Sequence, residues 1–146
     1  YGRLIFSTSV KKKSRLFLYA FAGPQTYDLK EIGRRISIEP ITNRKGLRLR
    51  GAAWTAFLDA EKLRFPLILR TFKAGDRFIP FGMRGHKKLK DFFADLKVPL
   101  EQRRSTPILC CGDTLVWVCG FRIDDRFKVT PTTKSVLKIV LQGQGE

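Results

Sequence analysis

A strand-rich α+β domain, with two packed β layers and a few short helices, is the fold class this sequence predicts. Three observations lead there. Short runs rich in Ile, Val, Leu, Phe and Thr recur along the chain, each bounded by Gly, Pro or a charged turn. Helical spacing surfaces only briefly, in Leu89, Phe92, Phe93 and Leu96 at i, i+3, i+4 and i+7, and again over residues 100–105. The apolar share, 43% of 146 residues, is ordinary for a folded domain, and the chain is long enough to bury a core.

Taken in order, residues 1–9 (YGRLIFSTS) have β composition, Lys11 to Ser14 form a charged turn, and Arg15 to Phe21 return as a second strand. Gly23-Pro24 breaks it. Arg35 to Ile41 sets Ile36, Ile38 and Pro40 against Ser37, Glu39 and Ile41, and Thr42 to Gly51 is a polar, basic connection of weak order. Trp54 to Leu58 is a strand, and Asp59 caps a single helical turn ending at Leu63. Leu67 to Phe72 is the strand that feeds a loop, Gly75 to Gly85, crowded with glycines and a proline. A helix is expected from Lys87 until Val98-Pro99 stops it. Leu100 to Ser105 is a second short helix, and Gly112-Asp113 joins residues 107–111 and 114–118 as a hairpin. Gly120 to Thr133 is a loop, Val136 to Leu141 the last strand, and Gln142 onward a frayed tail. Residues 1–57 are expected as leading strands packed with 58–141 into one unit, and 142–146 as the tail.

The charge narrows the function. Lys and Arg number 29 against 13 Asp and Glu, a formal +16, which argues for a polyanionic partner, nucleic acid first. The excess is threaded through the chain, with 14 basic and 5 acidic residues in 1–66 and 15 and 8 in 67–146, as a broad docking face requires. Lys87 and Lys88 at a helix start oppose the helix dipole. They are either ordinary surface lysines or part of a phosphate site made with glycine-supplied N–H groups. The basic residues alternate with phenylalanines (Arg77-Phe78, Phe121-Arg122, Arg126-Phe127-Lys128), which serves base stacking or simply the in-and-out alternation of strands.

Catalytic constellations are missing. The sequence has no phosphate-binding GxxxxGK[ST] loop, no HExxH and no nucleophile elbow. Asp76, Asp91, Asp124 and Asp125 each lie beside basic residues and read as ion-pair anchors. His86 is the one histidine, and Cys110, Cys111 and Cys119 show no CxxC, so neither a zinc site nor a secreted disulfide framework is indicated. They read as core cysteines of a reducing, cytoplasmic setting. No membrane-spanning run or signal peptide is visible. The chain opens at Tyr1 directly in strand-like sequence, as a piece of a longer protein would.

Several of these stretches resemble one family. Pro66 to Arg70, Gly75-Asp76-Arg77-Phe78, Pro80, Gly82-Met83, Gly85 and Lys87-Lys88-Leu89-Lys90-Asp91-Phe92-Phe93 carry the likeness, followed by Val98-Pro99, Arg103, Pro107, Val116-Trp117-Val118, Gly120, Arg122-Ile123, Lys128-Val129-Thr130 and Thr133-Lys134. In order and identity they are similar to the C-terminal, tRNA-binding domain of bacterial tRNA(Ile)-lysidine synthetase, from about Leu58 to Ile139, with residues 1–57 matching only loosely. His86, Arg104, Thr106 and Cys119 depart from the family pattern, which puts fine specificity in question.

The resemblance implies a layered β-sandwich related to a domain of the phenylalanyl-tRNA synthetase β subunit. It implies a parent ligase that uses ATP and magnesium in a separate N-terminal domain to convert the wobble cytidine of isoleucine tRNA (anticodon CAU) to lysidine. This piece would grip the tRNA body and acceptor stem, would hold no cofactor and would be inactive alone; the full-length enzyme could be a homodimer. Phosphate contacts then fall to Lys87, Lys88 and Lys90, with Arg84 and His86 at the loop edge and Arg103, Arg122, Lys128 and Lys134 as further basic candidates. Gly75, Asp76, Arg77, Pro80, Gly82 and Gly85 would structure the loop. A stand-alone basic RNA-binding module, ribosome- or tRNA-associated, is the alternative.

Overall fold

The computed structural model describes residues 16–42 and 53–143. The expected strand at 1–9, the Lys11–Ser14 turn, most of the 42–51 connection and the last residues of the tail lie outside these.

Two antiparallel sheets form the sandwich. The first runs β1 (Leu18–Phe21), β5 (Leu67–Thr71), β8 (Pro107–Cys111), β9 (Thr114–Val118), β10 (Arg122–Ile123). The second runs β2 (Thr26–Leu29), β3 (Arg34–Ile41), β11 (Val136–Gln142), β4 (Thr55–Asp59). The last strand therefore sits inside its sheet, pairing Leu141 with Ile36 on one side and Leu137 with Leu58 on the other. Ile36, Ile38, Leu58 and Ile139 of the second sheet meet Phe21, Leu69, Leu109 and Trp117 of the first in one buried core. Asp59 caps the 3-10 turn Ala60–Lys62 by accepting from the Glu61 N–H at 3.1 Å.

A third layer, beyond the expected two, covers the other face of the first sheet. Helix α1 (Leu89–Asp95) lays Leu89, Phe92 and Phe93 on Ile108, Cys110, Leu115 and Val118. The middle sheet is thus apolar on both faces, which explains the unbroken apolar runs of β8 and β9. A bulge between Leu109 and Cys110 shifts the register from Leu109 opposite Trp117 to Cys110 opposite Leu115. The extra residue lets the adjacent Val116 and Trp117 both serve the inter-sheet core.

The helix differs from the sequence expectation at both ends. Lys87 and Lys88 form β7, paired with β6 (Arg77–Phe78), and Lys88 keeps an extended backbone as the residue before the helix. Leu96, expected as the fourth member of the apolar stripe, is 48% exposed because the helix stops at Asp95 and Lys97 turns left-handed at φ 57. Helix α2 (Leu100–Ser105) follows Pro99. The Gly120–Thr133 stretch holds β10 and a 3-10 turn, Asp125–Phe127, and Gln142 is paired with Arg35 rather than frayed. Strand β2 has no counterpart in the sequence expectation; it pairs Asp28 with Arg35, whose side chains also form an ion pair at 2.7 Å.

Candidate nucleic-acid interface

The loop between β5 and β7 is held by three carboxylates. Asp76 takes the Arg70 guanidinium with both oxygens, at 2.8 and 3.0 Å, and also accepts from the Lys73 N–H at 2.8 Å. Burial opposes the Arg70 charge, but the hydrogen-bonded Asp76 and other neighbours outweigh it and raise the guanidinium pKa. Asp124, fully buried, accepts from the Ile79 N–H at 2.9 Å and from the Arg126 backbone and side chain. Asp125 accepts from the Gly82 N–H at 3.0 Å and from the Lys128 ammonium. The Gly82 N–H, against the opposing effect of burial and with help from Lys128, holds the Asp125 carboxyl below its ordinary pKa.

Backbone contacts complete the clamp. Pro80 bridges to Asp124, the Phe81 N–H donates to the Ile123 carbonyl at 3.0 Å, and the Asp125 N–H donates to the Ile79 carbonyl at 2.7 Å. Gly75 and Gly82 both sit at φ 90, where a side chain would be strained. Gly85 lies outside that region and Arg77 is exposed opposite Lys88, so neither supplies a conformational lock of this kind.

The basic candidates separate into distinct places. Lys88 and Lys90 line one groove of about 420 Å³ together with Arg103, Arg104, Phe72, Ala74, Gly75, Asp76 and Leu100. Among the described residues no ion pair engages Lys88, Lys90 or Arg104. Arg103 is braced by donating from Nε to the Val98 carbonyl at 2.7 Å. Lys87, next to this group in sequence, is instead bound to Asp95 and is the least exposed lysine of the motif. Arg84 and His86 are exposed on the outer part of the loop. Arg122 lies over the Phe92 ring at 5.6 Å, and Lys128 is tied to Asp125 at 3.1 Å. Lys134 belongs to the second sheet's side of the fold, following the turn in which Thr133 reaches Asp59 just before β11. Of the N–H groups at the start of α1, that of Leu89 is already donated to the Asp76 carbonyl at 2.9 Å.

This layered sandwich has known counterparts. Residues 67–140 match the family described as the TilS substrate C-terminal domain. The chain belongs to that family. A tRNA(Ile)-lysidine synthase of Clostridium acetobutylicum is 41% identical over 107 residues, covering 73% of this chain and 23% of the relative. One of Parabacteroides distasonis is 52% identical over 88 residues, covering 60% of this chain and 20% of the relative. The chain thus spans about a fifth of the length of these curated relatives. A solved structure described as the TILS C-terminal domain shares the fold, with a TM-score of 0.75 at 23% identity over 90% of this chain and all of that one.

Within this TilS C-terminal fold, sequence reasoning missed Arg104 and Leu100 as parts of the groove. The signal was present: Leu100, Arg103 and Arg104 fall at i, i+3 and i+4 of a short helix and share a face. Phe72 reads in the sequence as the end of a strand, yet it is half-buried at the groove and packs edge-on against Phe93 at 5.9 Å. Among the described residues no three His, Cys, Asp or Glu side chains gather as metal ligands, and no helix is long and apolar enough to cross a membrane. The phenylalanines of the aromatic–basic pairs divide: Phe78 and Phe127 are buried, whereas Phe121 is partly buried among Phe92 and Phe93.

Proposed function

We propose that this chain is the RNA-docking part of a cytoplasmic lysidine-forming ligase, gripping isoleucine tRNA with a CAU anticodon through its basic face. The observation that carries the reading is the groove between β7 and α2. Four cations, Lys88, Lys90, Arg103 and Arg104, surround a single carboxylate that Arg70 already neutralises. An anion meeting that wall finds positive charge without a competing acid. Lysines and arginines of this kind engage phosphates and fix the register of an RNA without reading its bases. Arg84, His86 and Arg122 would extend the contact. ATP, magnesium and the ligase step belong, in this reading, to parts of the enzyme outside this chain, and the chain alone is inactive. Any homodimer would likewise concern the whole enzyme.

Binding of isoleucine tRNA across a salt series tests this, beside an unrelated tRNA and an RNA duplex. Lys88→Glu with Lys90→Glu is expected to weaken binding and to flatten the log–log salt slope by roughly 0.7 to 0.9 for each phosphate that is no longer neutralised. Unchanged affinity at low salt would overturn the reading. Equal binding to all three RNAs would make the domain a general electrostatic grip.

A further inference from the structure

Building on that docking role, we propose that the β7–α2 groove takes one unstacked nucleotide of single-stranded RNA. The base would lie against Phe72, Ala74 and Leu100, with its flanking phosphates on Lys88 and Lys90 on one wall and Arg103 and Arg104 on the other.

The groove is built for more than charge. Its volume of about 420 Å³ falls in the range of roughly 300–1,000 Å³ that small ligands occupy, and a duplex is too wide to enter. Its lining includes three apolar side chains, one of them Leu100 at 64% exposed. A surface that only contacts phosphates has no use for an exposed leucine beside two arginines. An unstacked base does, because its faces are apolar and stack on such platforms irrespective of sequence. The frame is set in advance: Arg103 is braced on the Val98 carbonyl, Asp76 is pinned by Arg70, and Phe72 is wedged against Phe93.

Charge complementarity favours RNA over a free nucleotide. The cations come from three separate elements, β7, α1 and α2, rather than converging from one loop. Pre-ordered walls also keep the immobilisation cost of side chains low.

The test uses the whole chain and three probes: a blunt RNA duplex, the same duplex with a short single-stranded 3′ overhang, and ATP as competitor. The overhang is expected to tighten binding about tenfold, the usual scale for stacking one base. Leu100→Ser, an exposed and charge-neutral change, is expected to abolish that advantage while thermal unfolding stays unchanged. An overhang no better than the blunt end overturns the inference and leaves the docking role standing. Failure to bind either RNA overturns both. An overhang advantage that survives Leu100→Ser overturns the placement, and competition by ATP as effective as by the overhang would assign the groove to a free nucleotide.

Discussion

Replacing Asp124 by alanine tests whether buried acids hold the loop in shape. The carboxylate is 0% exposed and accepts from the Ile79 N–H at 2.9 Å, the Arg126 N–H at 2.8 Å and the Arg126 guanidinium at 2.8 and 2.9 Å. Alanine strands the half-buried Ile79 N–H, which costs about 1–2 kcal/mol. It also removes the side-chain cap of the Asp125–Phe127 turn, about 1 kcal/mol. The Arg126 side chain is 41% exposed and can rehydrate, so its ion pair adds roughly 0–1 kcal/mol. The sum is about 3 kcal/mol, a large fraction of the roughly 5–15 kcal/mol that stabilises a domain. At about 2–8 °C per kcal/mol for chains spanning this size, the melting temperature is expected to fall by about 10 °C. Circular dichroism melts give that shift, and amide exchange at Ile79 and Gly82 should accelerate with it. A loss within about 0.5 kcal/mol, the range of an ordinary surface substitution, would refute the hub.

Two further outcomes follow from the same structure. The Asp125 carboxyl is held below its ordinary value of 3.8, so the stabilisation it gives the loop is complete above that pH and is lost as pH falls through the lower folded value. The Gly82 amide resonance should report a titration midpoint below 3.8, and a midpoint at or above it would sink the assignment. Gly120→Ala should destabilise by about 1–3 kcal/mol, because the new methyl would stand 2.8 Å from Trp54 ring carbons at a backbone φ of +85. An unchanged melt with unchanged tryptophan emission would refute that packing.

Local chemistry makes much of the fold legible. The β8–β9 hairpin is readable because Gly112-Asp113 punctuates two apolar runs, and the 3-10 turn after β4 because Asp59 is a capping residue. The start of α1 is misplaced by sequence because Lys88 has no side-chain acceptor to mark a cap, so the apolar stripe alone does not say where the helix begins. Its end is misplaced because Leu96 keeps the period of a helix that has already stopped. Strand β2 is four residues long with alternating exposure and a charged centre, too short for a pattern to declare itself. The loop's content in glycine announces a shaped segment, but not its clamps, since Asp124 and Asp125 lie more than forty positions from the Ile79 and Gly82 amides they hold. The groove is the least legible part. Its two walls are separated by most of α1, and only the chain's return through Val98 to α2 brings Arg103 and Arg104 to the groove that Lys88 and Lys90 line.

The acids of this region also show how a stretch in basic excess keeps that excess on its surface. Asp76 takes Arg70, Asp124 takes Arg126, Asp125 takes Lys128 and Asp95 takes Lys87, so each of these acids consumes one cation. The pairing is not arbitrary, because three of these acids are also the ones that hold the loop's backbone amides. Facing out are Arg77, Arg84, Lys88, Lys90, Arg104 and Arg122, with Lys73 and Lys97 and the acids Asp91 and Glu101 also exposed. The same three carboxylates thus fix the loop and clear its field. A rigid loop with a cleared field sets where phosphates sit but does not distinguish one sequence from another. Any selectivity carried by this chain has to come from what charge does not supply, and at this face that is the shape of the groove and the apolar surface that Leu100 and Phe72 give it.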